Sequence, residues 1–144
     1  MILYLDASAL VKLYSDETHS HLVRRAASAA TVRVCHDIGY VECRAALARK
    51  RNDGGLSPND HARCVRQLDR DWDHFHTVAV TRELLLRAAI LSEEHGLRAY
   101  DSVHFAAAEA VRSASLGTVD FRVGVFDTKL ARAMKRGGFS LLEA

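Results

Sequence analysis

The chain has 144 residues, 49% of them hydrophobic, and 20 Lys and Arg stand against 18 Asp and Glu for a net charge of +2. That length suits one domain over residues 1–144 with a single substantial core, and the near-balance of charge is no nucleic-acid signature by itself, since a basic patch can coexist with an acidic pocket. Cys35, Cys43 and Cys64 are an odd set without CxxC spacing, which argues against a disulfide framework or a cysteine zinc site and for reduced, buried thiols.

The first apolar run has no basic flank and is interrupted at Asp6, and no apolar stretch is long enough to span a bilayer, so a cytoplasmic protein without a membrane segment is expected. Strand-like and helix-like patterns then alternate, as in an α/β protein with a parallel sheet flanked by helices. Residues 2–5 read as a buried strand that runs into Asp6 and the small residues of a helix over 8–14. A helix over 17–29 and a strand over 31–35 follow. Helices over 38–52 and 58–73 form a hairpin: Gly54 and Gly55 end the first, Ser57 caps the second, Pro58 fits its first turn and Asp60 suits the positive end of its dipole. On the second of these helices Ala62, Val65, Leu68 and Trp72 make an apolar stripe, fit for the core or for a partner helix. His74 and His76 read as surface residues. The pattern continues with a strand over 77–80, helices over 82–95 and 100–114, a polar loop from Ser113 to Asp120, a strand over 122–126, a helix over 128–136 and a strand over 139–142.

Two strand-to-helix junctions carry the same residue type, Asp6 after the first strand and Asp127 in "VGVFDTKL". Each suits a helix N-cap. Asp101 in "LRAYDSVHFAAAEA" lies near a helix start, where the dipole favours an acid in any case. Glu42 in "IGYVECRAALAR" lies four residues after Ile38, one after Val41 and three before Ala45, within the apolar stripe of its helix. A buried ionised carboxylate is costly unless protonated, paired or bound to a cation, and Arg44, two residues on, points elsewhere. In open parallel sheets the carboxyl ends of the strands are where ligands bind, so the topology can bring all four acids to one pocket. Two unit charges about 4 Å apart repel by roughly 4 kcal/mol at an effective dielectric near 20, a penalty that a divalent cation removes. All-oxygen ligation points to Mg²⁺ or Mn²⁺ rather than zinc.

The fragments "LDASALVKLY", "YVECRAALAR", "RAYDSVHFAAAEA" and "VFDTKLARAMKRGGF", in this order over essentially the whole chain, resemble the PIN-domain ribonucleases, in particular the toxin subunits of VapBC-type toxin–antitoxin pairs. The resemblance implies a three-layer α/β/α fold with a central, mainly parallel sheet of about five strands. It also implies that Asp6, Glu42, Asp101 and Asp127 are the catalytic, metal-binding acids, and that Ser8 supports a bound water or a phosphate oxygen; Ser8 equally suits the first turn of its helix. The chain departs from the family pattern in the long segment between Asp101 and Asp127 and in Val125, which stands where Thr or Ser often precedes the last acid. Asp120 competes with Asp127 but lies before the strand rather than after it.

The function expected on these grounds is Mg²⁺-dependent endoribonuclease activity, Mn²⁺ serving as substitute, by a metal-activated water. Lys12, Arg44 and Arg98 are the candidate substrate-binding cations, with Arg49, Lys50 and Arg51 as further choices or as a solvated helix end. The resemblance implies an RNA substrate, a VapB-like antitoxin partner and a homodimer. Two other functions compete: a catalytically silent PIN-fold binding module, and an aspartate-based phosphoryl-transfer domain, which would want a second acid where Ser8 stands. His104, three residues past Asp101, reads as a satisfied helix histidine that could approach the site.

Overall fold

Residues 1–115 and 119–143 are described by the computed structural model, and among them lie five strands and seven helices. The order is β1 (Ile2–Leu5), α1 (Ala7–Tyr14), α2 (Ser20–Ala29), β2 (Val32–His36), α3 (Ile38–Asn52), α4 (Pro58–Trp72), β3 (His76–Val78), α5 (Arg82–His95), α6 (Ala99–Ala114), β4 (Phe121–Gly124), α7 (Thr128–Arg136) and β5 (Ser140–Leu141). The sheet runs β3-β2-β1-β4-β5, with every neighbouring pair parallel. The chain therefore builds outward from β1 to β3, then returns to the other side of β1 with β4. A parallel sheet that reverses direction this way opens a crevice at the carboxyl ends of the two strands flanking the reversal. Here those strands are β1 and β4.

Alternation along β1 sends Leu3 and Leu5 into one core and Tyr4 into the other. Helices α1 to α4 cover the Leu3 face with Leu10, Val23, Leu47 and Leu68, and α5 to α7 cover the Tyr4 face with Leu91, Phe105 and Leu130. Both faces of the sheet are thus sealed, which is the expected three-layer α/β/α arrangement and the reason the central strand reads as an unbroken apolar run. No helix among the described residues is long and apolar enough to cross a membrane. Cys35, Cys43 and Cys64 are free and buried, as their spacing suggested.

Element boundaries shift where side chains compete for the backbone. Ser57 accepts the Asp60 N–H at 3.0 Å and starts α4 as read from the sequence. β3 stops at Val78 because Thr81 Oγ1 accepts the Leu84 N–H at 3.1 Å and begins α5, leaving Val80 exposed. α6 continues to Ala114, past the start of the predicted polar loop, whose residues 116–118 lie outside the described residues. The stripe on α4 serves the core: Leu68 is fully buried, and Trp72 stacks on Phe75 with ring centroids 5.5 Å apart. His74 and His76 are exposed.

The predicted helix from residue 17 starts at Ser20 instead, because Glu17 is the hub of a turn. Its N–H donates to Ser20 Oγ at 3.0 Å, Ser20 Oγ donates to the Ser15 carbonyl at 3.0 Å, and its carboxylate receives Lys12 from α1 at 2.8 Å and Lys50 from α3 at 2.5 Å. Burial alone would raise the Glu17 carboxyl, but the two ammonium groups hold it below its ordinary value of 4.5. A depressed folded-state value means stability that is present above 4.5 and lost as the pH falls through the folded-state value. Glu17→Gln is expected to lower the melting temperature at pH 7 by roughly 2–4 °C, and the gap to wild type should close as melts are repeated at progressively more acid pH.

Candidate active site

Asp6 leaves β1 at the crevice, its N–H donating to the Gly124 carbonyl at 3.1 Å. The approach is close there: a Cβ on Gly124 would lie 2.7 Å from Leu5 Cδ2 and 3.1 Å from Ala9 Cβ, so either would have to shift. The Asp6 carboxylate caps α1, Oδ1 accepting the Ala9 N–H at 2.9 Å and the Ser8 hydroxyl at 2.6 Å. Ser8 Oγ in turn accepts the Phe126 N–H at 2.9 Å, which clips the start of α1 to the segment leaving β4. Asp6 is only 3% exposed. Burial pushes its carboxyl up to about 6, and His104, Ser8 and Ala9 pull against that while Asp101 adds to it.

Asp127 repeats the arrangement on the other side of the crevice. Its Oδ2 accepts the Leu130 N–H at 2.9 Å and caps α7, while Oδ1 faces the Arg98 guanidinium at 3.5 Å. Asp101 sits in the first turn of α6 but does not cap it; the N-cap position is Arg98, whose Nε donates to Asp101 Oδ2 at 2.9 Å. The cap reading and the site reading are therefore compatible for Asp6 and Asp127, and Asp101 stands in the first turn where the helix dipole favours an acid.

Glu42 reaches the crevice from α3. The buried stripe of that helix is Gly39, Cys43 and Leu47, with Val41 67% exposed, so Glu42 lies on the flank of the stripe rather than within it. That flank faces α6, and His104 Nε2 stands 2.6 Å from Glu42 Oε1. Gly39 permits the approach: a Cβ there would run into Cys35 Sγ and come within 3.7 Å of the His104 ring.

Asp6, Ser8, Glu42, Arg98, Asp101 and Asp127 line one cleft of about 590 Å³. Val41 and Tyr100, the latter 62% exposed, form an apolar part of its wall, and Arg49 adds a cation. Asp120 lies at the opposite edge of the sheet, its carbonyl accepting the Ile2 N–H at 2.8 Å and its carboxylate paired with Arg122 at 2.9 Å. Of the candidate cations, only Arg98 and Arg49 reach the cleft. Lys12 is buried between Glu17 and the Phe126 ring, with its ammonium 4.9 Å from the ring centroid. Arg44 turns outward to the Tyr40 hydroxyl at 2.7 Å and toward Asp69 at 3.9 Å, and Lys50 is taken by Glu17. These pairings, local for Lys12 with Glu17 and Arg44 with Tyr40 and between helices for Arg44 with Asp69, leave Lys12 and Arg44 off the cleft wall.

The donors facing the cleft are carboxylate oxygens, the set that a hard divalent cation takes. Burial penalises ionised Asp6 unless positive charge stands nearby. The exposed Arg98, by contrast, spans Asp101 and Asp127. With Arg98 and His104 as partners, no group of three or more His, Cys, Asp and Glu among the described residues closes around a common point. The residues nonetheless suit Mg²⁺ in kind, since an exposed Arg–carboxylate pair is worth only about 0–1 kcal/mol and yields readily to a divalent ion.

Tyr4 and Tyr100 also stand at the site. A tyrosine inside an apolar strand is a signal in its own right, because a buried hydroxyl needs a partner; here Tyr4 Oη lies 2.8 Å from His104 Nδ1.

A profile of the PIN domain matches residues 3–136, and the chain belongs to the PIN-domain family. The fold is shared with FitAcB from Neisseria gonorrhoeae, at a TM-score of 0.68 and 16% identity over 99% of this chain and 97% of that one. It is shared also with a toxin–antitoxin complex from Klebsiella pneumoniae, at a TM-score of 0.61 and 15% identity over 88% of each chain. Ribonuclease VapC49 of Mycobacterium tuberculosis is 34% identical over 135 residues, covering 90% of this chain and 86% of that protein. Within the family this chain is of the VapC type.

Asp101→Asn separates a metal ligand from a structural acid. The lost pair with exposed Arg98 and the relief of repulsion on Asp6 are both small, so the metal-free melting temperature should stay within about 2 °C of wild type. The rise in melting temperature on adding Mg²⁺ or Mn²⁺ should largely disappear. Differential scanning fluorimetry with and without metal checks both, and an undiminished metal-induced rise would remove Asp101 from the site.

Proposed function

We propose that this protein is an Mg²⁺-dependent endoribonuclease, with Mn²⁺ as substitute, that acts as the toxin of a type II toxin–antitoxin pair. The observation that carries the reading is the meeting of Asp6, Glu42, Asp101 and Asp127 on one cleft at the carboxyl edge of a parallel sheet. The name ribonuclease borne by the VapC relatives supports RNA as the substrate.

A bound Mg²⁺ would supply Lewis acidity toward the phosphodiester and the attacking water. The four carboxylates would hold it. Asp6 and Asp127 are pre-positioned for that work, because each uses one oxygen as a helix cap and so cannot rotate freely. Ser8 has its proton on Asp6, and its role is to hold that carboxylate rather than to donate to a phosphate oxygen. Arg98, once released from Asp101 and Asp127, has the reach and charge to meet a phosphate, and Arg49 lines the same wall. Tyr100 offers an exposed ring on which an unpaired base can stack.

The same cleft suits an antitoxin segment that lays apolar side chains on Val41 and Tyr100 and extends a basic residue among the acids. That partner, and the homodimer implied by the family resemblance, belong to the proposal; on the α4 stripe Leu68 is buried, while Val65 and Trp72 are partly buried.

Cleavage of a cellular RNA pool should require Mg²⁺ or Mn²⁺ and stop in excess EDTA, and Asp6→Asn and Asp101→Asn should each lower the rate by orders of magnitude. Undiminished cleavage in EDTA would end the proposal. Sedimentation velocity should give a dimer, and the protein encoded beside it in the operon should co-purify and suppress cleavage; a monomer with no co-purifying inhibitor would overturn the toxin half of the reading.

A further inference from the structure

Behind the acidic cleft lies a buried chain of polar groups that the proposed reaction does not use. His104 is 1% exposed, and both ring nitrogens are engaged: Nδ1 is 2.8 Å from Tyr4 Oη and Nε2 is 2.6 Å from Glu42 Oε1. Protons can be assigned by what each partner is able to accept. An ionised carboxylate only accepts, so Nε2 carries the hydrogen and donates to Glu42. Nδ1 shares the 2.8 Å hydrogen bond with the Tyr4 hydroxyl. His36 sets the edge of the same compartment, with its ring centroid 6.4 Å from that of His104 and the rings at 79°. Asp6, Glu42 and Tyr4 are the other titratable groups facing His104 from β1 and α3.

Glu42 has several rotatable bonds and enters the cleft from a helix flank, so by itself it would sample many positions. The 2.6 Å bond takes one of its oxygens and leaves the other for the cleft. Tyr4 locks the imidazole from behind, and Tyr4 is fully buried in the central strand of the sheet. The chain therefore runs from rigid strand to ring to carboxylate.

We propose that His104 is a positioning residue, oriented by Tyr4, that holds the Glu42 carboxylate in place for a divalent cation. The inference rests on the metal-site reading given above. Groups that orient a ligand in this way typically change metal affinity by about 10- to 100-fold when removed.

Two polar substitutions separate positioning from mere packing. The amide nitrogen of Gln in His104→Gln reaches about where imidazole Nε2 stands, whereas Asn in His104→Asn can meet Tyr4 but falls short of Glu42. Isothermal titration with Mn²⁺, on full-length protein with melting temperatures recorded in parallel, should give His104→Gln within a few-fold of wild type and His104→Asn weaker by at least about 10-fold. Long-range ¹H–¹⁵N spectra of the metal-free protein should show His104 protonated at Nε2. Equal Mn²⁺ affinity for both variants, or a spectrum with Nε2 bare, would overturn the proposal. Glu42→Gln is the control: if it loses Mn²⁺ while both His104 variants bind like wild type, positioning fails and the metal site stands. If Glu42→Gln binds like wild type, the metal-site reading fails, and the inference falls with it.

Discussion

An aspartate with 3% of its surface exposed, at the end of the central strand, sets the terms for the structure around it. The Asp6 carboxyl is raised to about 6, burial outweighing His104 and the bonds from Ser8 and Ala9. The Ala9 N–H and the Ser8 hydroxyl supply donors from the first turn of α1. The Gly124 carbonyl fixes its backbone, and the absence of a side chain there leaves room for Leu5 and Ala9. These contacts reduce the cost of burying the charge without removing it.

Structural and chemical duties share the same side chains here. Asp127 caps α7 with one oxygen and presents the other; Asp6 caps α1 while lining the cleft. A cap costs about 1 kcal/mol to lose, so these acids contribute to stability apart from any activity. The arrangement also limits motion, because a carboxylate bonded to a helix N-terminus cannot swing away from its neighbours. Arg98 is the exposed counterpart. It is long, exposed and bonded to two acids at once, which makes it the natural occupant of the negative field when no other cation is present.

The cleft is asymmetric, with carboxylates on its floor and the exposed side chains of Val41 and Tyr100 on its wall. A charged floor favours cations and the phosphates that accompany them, whereas the wall favours flat or apolar groups. Behind the floor, Tyr4 and His104 extend the polar site into the core on the α6 side of the sheet, so one compartment contains both the apolar packing of α5 to α7 and the support of Glu42.

Much of this could be read along the chain. The alternation of apolar strands and helices, the Ser57 cap, and the repeated placement of aspartate after a strand depend on residues close in sequence, and local physics determined them. Asp101 was legible in the same way, from its place in a first turn. Glu42 stood out as a carboxylate among apolar residues, yet its position is the border of the buried stripe, because which face of α3 turns inward depends on Gly39 meeting Cys35 and His104. The fate of the cations was legible only in part. Lys12 meets Glu17 and Arg44 meets Tyr40 close by in sequence, whereas Asp69 reaches Arg44 only once α3 and α4 pack. The bonds of His104 to Glu42 and to Tyr4 join residues 62 and 100 positions apart. By itself the sequence determined which residues carry charge and which elements deliver them to the edge of the sheet. The tertiary structure alone decided which charges from distant elements face one another, because their hydrogen bonds and ion pairs depend on distances that exist only after the helices have closed on both faces of the sheet.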